Sequence, residues 1–129
     1  MVGTQRSTPA VITGRLAKAL EFFDSASLLE AEKLNAAGDL YVDAGIAASD
    51  VICCVRLGEH SSSGNHSEAV ALLARVDTTL GKHLNTLLGL KNKATYTHQS
   101  LSVAECKKMS RAASHLVEAA QVAAASASR

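Results

Sequence analysis

The sequence has very few aromatic side chains and a single proline. Tryptophan is absent, and two Phe and two Tyr are the only aromatic residues among 129. The interior must therefore be filled by Leu, Val, Ile and many Ala, which favours helices that approach each other closely and share an interface. Because Pro9 is the only proline, no other proline interrupts helical patterning from Val11 to the C-terminus.

The sequence also lacks an excess of either charge and any long apolar run. Thirteen Lys and Arg against twelve Asp and Glu give a formal net charge of +1, whereas a dedicated duplex-DNA-binding protein is strongly basic. We therefore expect no sequence-specific binding of duplex DNA. No stretch approaches the ~18 apolar residues of a membrane span, and the N-terminus lacks the apolar region of a secretory signal. These absences predict a cytoplasmic protein with no membrane association.

The cysteines and histidines show no spacing that is typical of a metal site. Cys53, Cys54 and Cys106 form neither a CxxC pair nor an even disulfide framework, which predicts reduced, buried thiols. The five histidines include no HxxxH or HExxH pair. His60 and His66 flank a flexible loop, and two donors on such a loop do not make a site. We therefore predict no bound metal and no cofactor.

Helical periodicity recurs along the chain, whereas alternating strand patterns are nearly absent. The sequence therefore predicts an all-α fold, an antiparallel bundle of four to five helices. Residues 1–12 are predicted to form a loose N-terminal arm, residues 13–122 the bundle domain, and residues 123–129 a frayed Ala/Ser tail. The first predicted helix runs from Gly14 to about Asn35, and the second runs from a cap at Asp39 to the loop at residues 58–65. The third runs from Ser67 to about Val76 and follows an Asn65–Glu68 capping pair. The fourth follows Asp77, and the fifth begins at a Ser102–Glu105 capping box.

The second predicted helix combines a run of small residues, AGIAAS, with a mostly acidic side. Small residues let a neighbouring helix approach more closely than Leu-lined surfaces do. The acidic side has two interpretations. It is either a solvated face, or Asp43 or Asp50 pairs with Lys91, Lys93 or His98 near the end of the fourth helix.

The segment LKNKATYTH places a cation, an amide and an imidazole where the apolar stripe of the fourth helix ends. On a continuous helix, Lys91 and His98 lie on one face roughly 10 Å apart, which is close enough to flank a phosphate. His98 can then act as a general base on a ribose hydroxyl while Lys91 stabilises charge on phosphorus. The alternative is a solvated lysine and a helix-end histidine.

The order of helices, the Gly/Ser loop followed by His66, and the LKNKATYTH segment before a capping box resemble the HEPN family, small helical proteins common in prokaryotic defence and toxin–antitoxin systems. The resemblance covers about residues 13–120 and implies an up-and-down HEPN-like topology. Active HEPN ribonucleases carry an arginine, then a polar Asn, Asp or His, and then a histidine four to six residues on. Lys91, Asn92 and His98 match this pattern, except that lysine replaces an arginine whose planar fork binds phosphate bidentately.

In the HEPN family, two copies of this segment face each other across a symmetric dimer and form a cleft. The resemblance therefore implies a homodimer in which Lys91 and His98 are duplicated and Asn92 and Tyr96 line the cleft. Together with Asp50 of the acidic side, Asn92 and Tyr96 are the candidate ligand-binding residues. We predict a non-catalytic or weakly active interaction module that binds a partner protein or an RNA or nucleotide ligand in this cleft. Two alternatives stay open: a metal-independent, toxin-like endoribonuclease with Lys91 and His98 as catalytic residues, and an antitoxin-like structural partner.

Overall fold

Five helices and one short two-stranded sheet make up the fold. The computed structural model describes residues 3–127 of the chain. Its elements, in chain order, are β1 (Thr4–Arg6), α1 (Pro9–Leu29), α2 (Leu34–Leu57), β2 (Glu59–Ser61), α3 (His66–Val76), α4 (Thr78–Thr95) and α5 (Val103–Ala127). The predicted all-α bundle is confirmed. No helix within the described residues is long and apolar enough to cross a membrane.

The boundary between the first two helices differs from the prediction. α1 ends at Leu29, a short turn follows, and α2 begins at Leu34, so the residues predicted as a helix stop and a cap lie inside α2. The physical reason is that tertiary contacts use these residues. Asn35 Oδ1 accepts a hydrogen bond from Leu101 N at 2.9 Å, and a Cβ on Gly38 would overlap the Leu101 side chain.

Both predicted loose ends of the chain are more ordered than their composition indicates. Strand β1 pairs antiparallel with β2, Gln5 lying opposite His60, and Ser7 N donates to Gly58 O at 2.8 Å. A three-residue strand has too little periodicity to be recognised in a sequence. At the other end, α5 continues through the Ala/Ser tail to Ala127, and Ala123 is buried. Residues 1–2 and 128–129 of these two predicted segments lie outside the described residues.

The caps predicted at Asn65–Glu68 and Ser102–Glu105 are confirmed, whereas the cap predicted at Asp39 is not. Ser102 N donates to Glu105 Oε1 at 2.9 Å and Glu105 N donates to Ser102 Oγ at 3.0 Å, a reciprocal capping box at the start of α5. The Asn65 side chain accepts from Glu68 N at 3.1 Å. Asp77 Oδ1 accepts from the first turn of α4, at 2.8 and 3.1 Å. Each cap supplies an acceptor to a backbone N–H that has no partner within the helix.

Helix α2 is the centre of the bundle and packs against α1, α4 and α5. Its buried residues are mostly small, so these neighbours approach its backbone. At Gly45, a Cβ would overlap Leu87 Cδ1 on α4 and would lie 3.3 Å from Leu116 Cδ1 on α5. The close approach predicted from the small residues is therefore present. The three cysteines are buried and unpaired, as predicted; they are Cys53, Cys54 and Cys106.

Candidate functional site

The helical face that was predicted to join Lys91 to His98 is interrupted. Helix α4 ends at Thr95, where Tyr96 N and Thr97 N both donate to Asn92 O, at 2.8 and 3.1 Å. The Thr97 hydroxyl then accepts from Gln99 N at 3.3 Å, which turns the backbone away from the helix axis. The prediction of one continuous face through His98 is therefore wrong.

The candidate residues of this segment have different surroundings. Lys91 is partly buried, whereas Asn92, Tyr96 and His98 are exposed. The neighbouring Lys93 already forms an ion pair, because its Nζ donates to both carboxylate oxygens of Glu105 at 3.0 and 3.1 Å. The ion pairs among residues 3–127 involve other groups than Lys91. The ammonium of Lys91 therefore stays available for a ligand.

The acidic side of α2 faces the last turns of α4. Asp39 Oδ1 accepts from the Thr95 hydroxyl at 2.9 Å. Burial raises the pKa of the Asp43 carboxyl, nearby Asp39 raises it further, and Lys91 opposes the shift. Asp43 and Lys91 therefore interact electrostatically, but in the described part of the chain no ion pair joins them.

Asp50 does not belong to this segment, which corrects its predicted role there. Its Oδ2 accepts from Arg15 Nε at 2.9 Å, and its Oδ1 lies 3.8 Å from His60 Nδ1. Asp50 is also eleven residues beyond Asp39 on α2, so the two lie about 16 Å apart along the helix axis. Burial raises the pKa of Asp50, while Arg15 and His60 oppose the shift. The sequence did not reveal this cluster because its members come from three separate elements.

Three exposed apolar side chains belong to helix ends on the side of the bundle where α4 stops. Leu28 at the end of α1, Tyr96 after α4 and Val103 at the start of α5 are 84%, 71% and 59% exposed. A groove of about 550 Å³ is lined by Val103 and Lys107 of α5 and by Glu30 and Glu32, which follow α1. We call this region the end surface: Leu28, Lys91, Asn92, Tyr96, His98 and Val103. Sequence periodicity did not distinguish Leu28 and Val103 from core residues, because it does not show which helix ends lack a neighbour.

Comparison with known proteins gives no match: no family model and no curated protein sequence matches the chain. Within residues 3–127, no three His, Cys, Asp or Glu side chains come together in a way that could hold a metal ion. The end surface therefore offers the chemistry of its own side chains, which are an amine, an amide, a phenol and an imidazole.

The described residues do not position His98 as a general base. A general base must lie within hydrogen-bond reach of the proton that it removes and is commonly oriented by a third group. His98 is exposed on the turn after α4, and no hydrogen bond from the described residues orients its ring. A bound ligand or a second copy of the chain must therefore complete any catalytic site at this position.

Proposed function

We propose that this chain is a HEPN-like interaction module that pairs with a second copy of itself through the end surface. The observation that carries the proposal is the exposure of Leu28, Tyr96 and Val103 at one end of the bundle. Single exposed apolar residues are ordinary, whereas neighbouring ones mark interaction surfaces. Tyrosine is also enriched in interface cores, where charged residues are depleted.

Pairing about a two-fold axis gives the end surface its proposed ligand site. An isologous interface brings the same patch of both copies together, so two Lys91 ammonium groups and two His98 rings flank one cleft. Two cations beside Asn92 and Tyr96 suit an RNA or nucleotide phosphate with a base stacked on the ring. A partner protein is the other occupant of the same cleft. Because His98 is not held in place, we propose binding with weak catalysis or none.

The oligomeric state tests the pairing. Val103→Asp places a negative charge in the proposed interface, and at the start of α5 this charge is favourable for the helix. Val122→Asp is the matched control, since Val122 is a 65% exposed valine near the other end of the same helix. Light scattering at high micromolar concentration is expected to show a dimer for the wild type and Val122→Asp, and a monomer for Val103→Asp. A monomeric wild type would refute the pairing.

The ligand is tested by fluorescence anisotropy with a labelled single-stranded RNA in EDTA. Lys91→Gln is expected to weaken binding and to reduce its salt dependence, whereas Lys82→Gln, an exposed lysine near the other end of α4, is expected to leave both unchanged. RNA cleavage in EDTA that His98→Ala abolishes would favour the endoribonuclease instead. No RNA binding, together with a co-purified protein from the native host, would favour the protein partner.

A further inference from the structure

A second candidate site lies away from the end surface, between α2, the loop before α3, α3 and α4. It is a crevice of about 110 Å³. Part of its lining is apolar and comes from three helices, and the polar part consists of Ser49, Asp50, Ser61, Asn65 and His66. The apolar part consists of Ile46, Ala69, Leu84 and Leu88. A concave apolar site with a few polar groups is the usual form of a small-molecule site.

One carboxylate oxygen of Asp50 lacks a hydrogen-bond partner among the described residues. Arg15 Nε donates to Oδ2 at 2.9 Å. Oδ1 lies 3.8 Å from His60 Nδ1, which is too long for a hydrogen bond, and that nitrogen lies 3.1 Å from Ser61 O instead. Among the described residues, the buried side-chain polar atom without a partner is His60 Nε2. Oδ1, which also lacks a hydrogen bond there, therefore keeps contact with open space, and Asp50 lines the crevice.

The chemistry of the crevice selects its ligand. Arg15 balances the charge of Asp50, yet the free lone pairs of Oδ1 point to a hydrogen-bond donor and oppose an anion. The apolar part suits a flat hydrocarbon face. An engineered closed cavity of ~150 Å³ holds benzene, and this crevice has about 110 Å³, so it takes at most one ring, with part of that ring left in solvent. We propose that the crevice binds a planar six-membered ring that carries an amide, amidine or amino donor, with the donor on Asp50 Oδ1 and the ring against Leu84 and Leu88.

Three matched probes test this proposal on the full-length chain: benzamide, benzamidine and benzoate, which share one ring and differ in the group that meets Asp50. Methyl NMR titrations follow Ile46, Leu84 and Leu88. Benzamide and benzamidine are expected to shift these methyl signals to saturation. Benzoate is expected to bind at least about tenfold more weakly, because it replaces a donor with a negative charge. Equal binding of benzamide and benzoate, or no saturable shift with any probe, would overturn the proposal.

Two variants separate the crevice from a non-specific apolar surface. Ala69→Leu adds bulk to the apolar lining of the crevice and leaves Asp50 in place, and Ala71→Leu adds the same bulk to an exposed position of α3 that does not line the crevice. Benzamide binding is expected to be lost in Ala69→Leu and kept in Ala71→Leu. Asp50→Asn removes the charge at similar volume, so the preference for benzamide over benzoate should largely disappear. Binding that survives Ala69→Leu would place the probe elsewhere. None of these results depends on dimer formation.

Discussion

Replacing Gly45 with alanine adds one methyl group where α2 approaches both α4 and α5. The new Cβ would overlap Leu87 Cδ1 and would lie 3.3 Å from Leu116 Cδ1. Both leucines have no exposed surface, so neither can move towards solvent to make room. Gly14 in α1 is the matched control, because a Cβ at that position has nothing within 4 Å.

The expected magnitude follows from two opposing contributions. Alanine in place of glycine inside a helix stabilises by about 1 kcal/mol, and this gain applies to both positions. Overpacking a well-filled core costs about 1–3 kcal/mol and applies only to Gly45. Gly14→Ala should therefore stabilise the fold by about 1 kcal/mol. The free energy of unfolding of Gly45→Ala should be about 2 kcal/mol lower than that of Gly14→Ala, which for a chain of this length corresponds to a Tm difference of about 8 °C.

Equilibrium unfolding in urea, followed by circular dichroism at 222 nm, measures both variants against the wild type. The difference between the two variants is the informative quantity, because the helix-propensity gain cancels in it. Wild-type m-values in both would show that the unfolded state is unchanged. If Gly45→Ala is stabilised as much as Gly14→Ala, the close approach of α2 to Leu87 and Leu116 is incorrect, and the argument that small residues set this packing fails.

Three further substitutions test local features. Ser102→Ala removes the reciprocal cap of α5 and is expected to lower the free energy of unfolding by about 1 kcal/mol in the same urea assay. The rings of His83 and His115 stack with centroids 4.5 Å apart, and burial, with His115 adding to it, lowers the pKa of His83. The unfolded chain then binds more protons near the ordinary pKa of 6.5, so Tm should fall as the pH drops through that value, and His83→Gln should flatten this dependence. The raised pKa of Asp43 has the opposite sign: its proton favours the folded state, so stability is lost as the pH rises through that pKa. Asp43→Asn should therefore be more stable than the wild type at pH 7, and this difference in the free energy of unfolding should shrink towards pH 4. A difference that does not change with pH would contradict the raised pKa of Asp43.

Local signals made the helices and most of their caps predictable. A cap such as Ser102–Glu105 or Asp77 lies within four residues of the groups that it satisfies, so the sequence contains the whole interaction. The stop predicted at Asn35 was wrong because that side chain instead caps the backbone at Leu101, sixty-six positions along the chain. The same residue type serves both purposes, and only the packing of α2 against the start of α5 decides between them.

The helix that carries Lys91 and Asn92 was predictable, but its end was not: periodicity continued its face through His98, whereas α4 ends at Thr95. The exposure of Leu28 and Val103 is known only from the structure. The contacts of Asp50 depend on how α1 lies across α2 and on β2 pairing with β1. These are relations between elements distant in sequence, and helical periodicity contains no information about them.

Two partly buried aspartates of α2 lower the stability of the fold at neutral pH. Burial raises the pKa of Asp43 and of Asp50, so each carboxylate destabilises the folded state at neutral pH relative to a neutral group. If α2 only filled the core, small apolar residues would be expected at positions 43 and 50, like those that α2 carries between these two positions. Asp43 faces Lys91 beside the end surface, and Asp50 lines the crevice. A hydrogen-bond donor bound to Asp50, as proposed, would recover part of the lost solvation, and because it would bind the folded state alone it should also raise Tm.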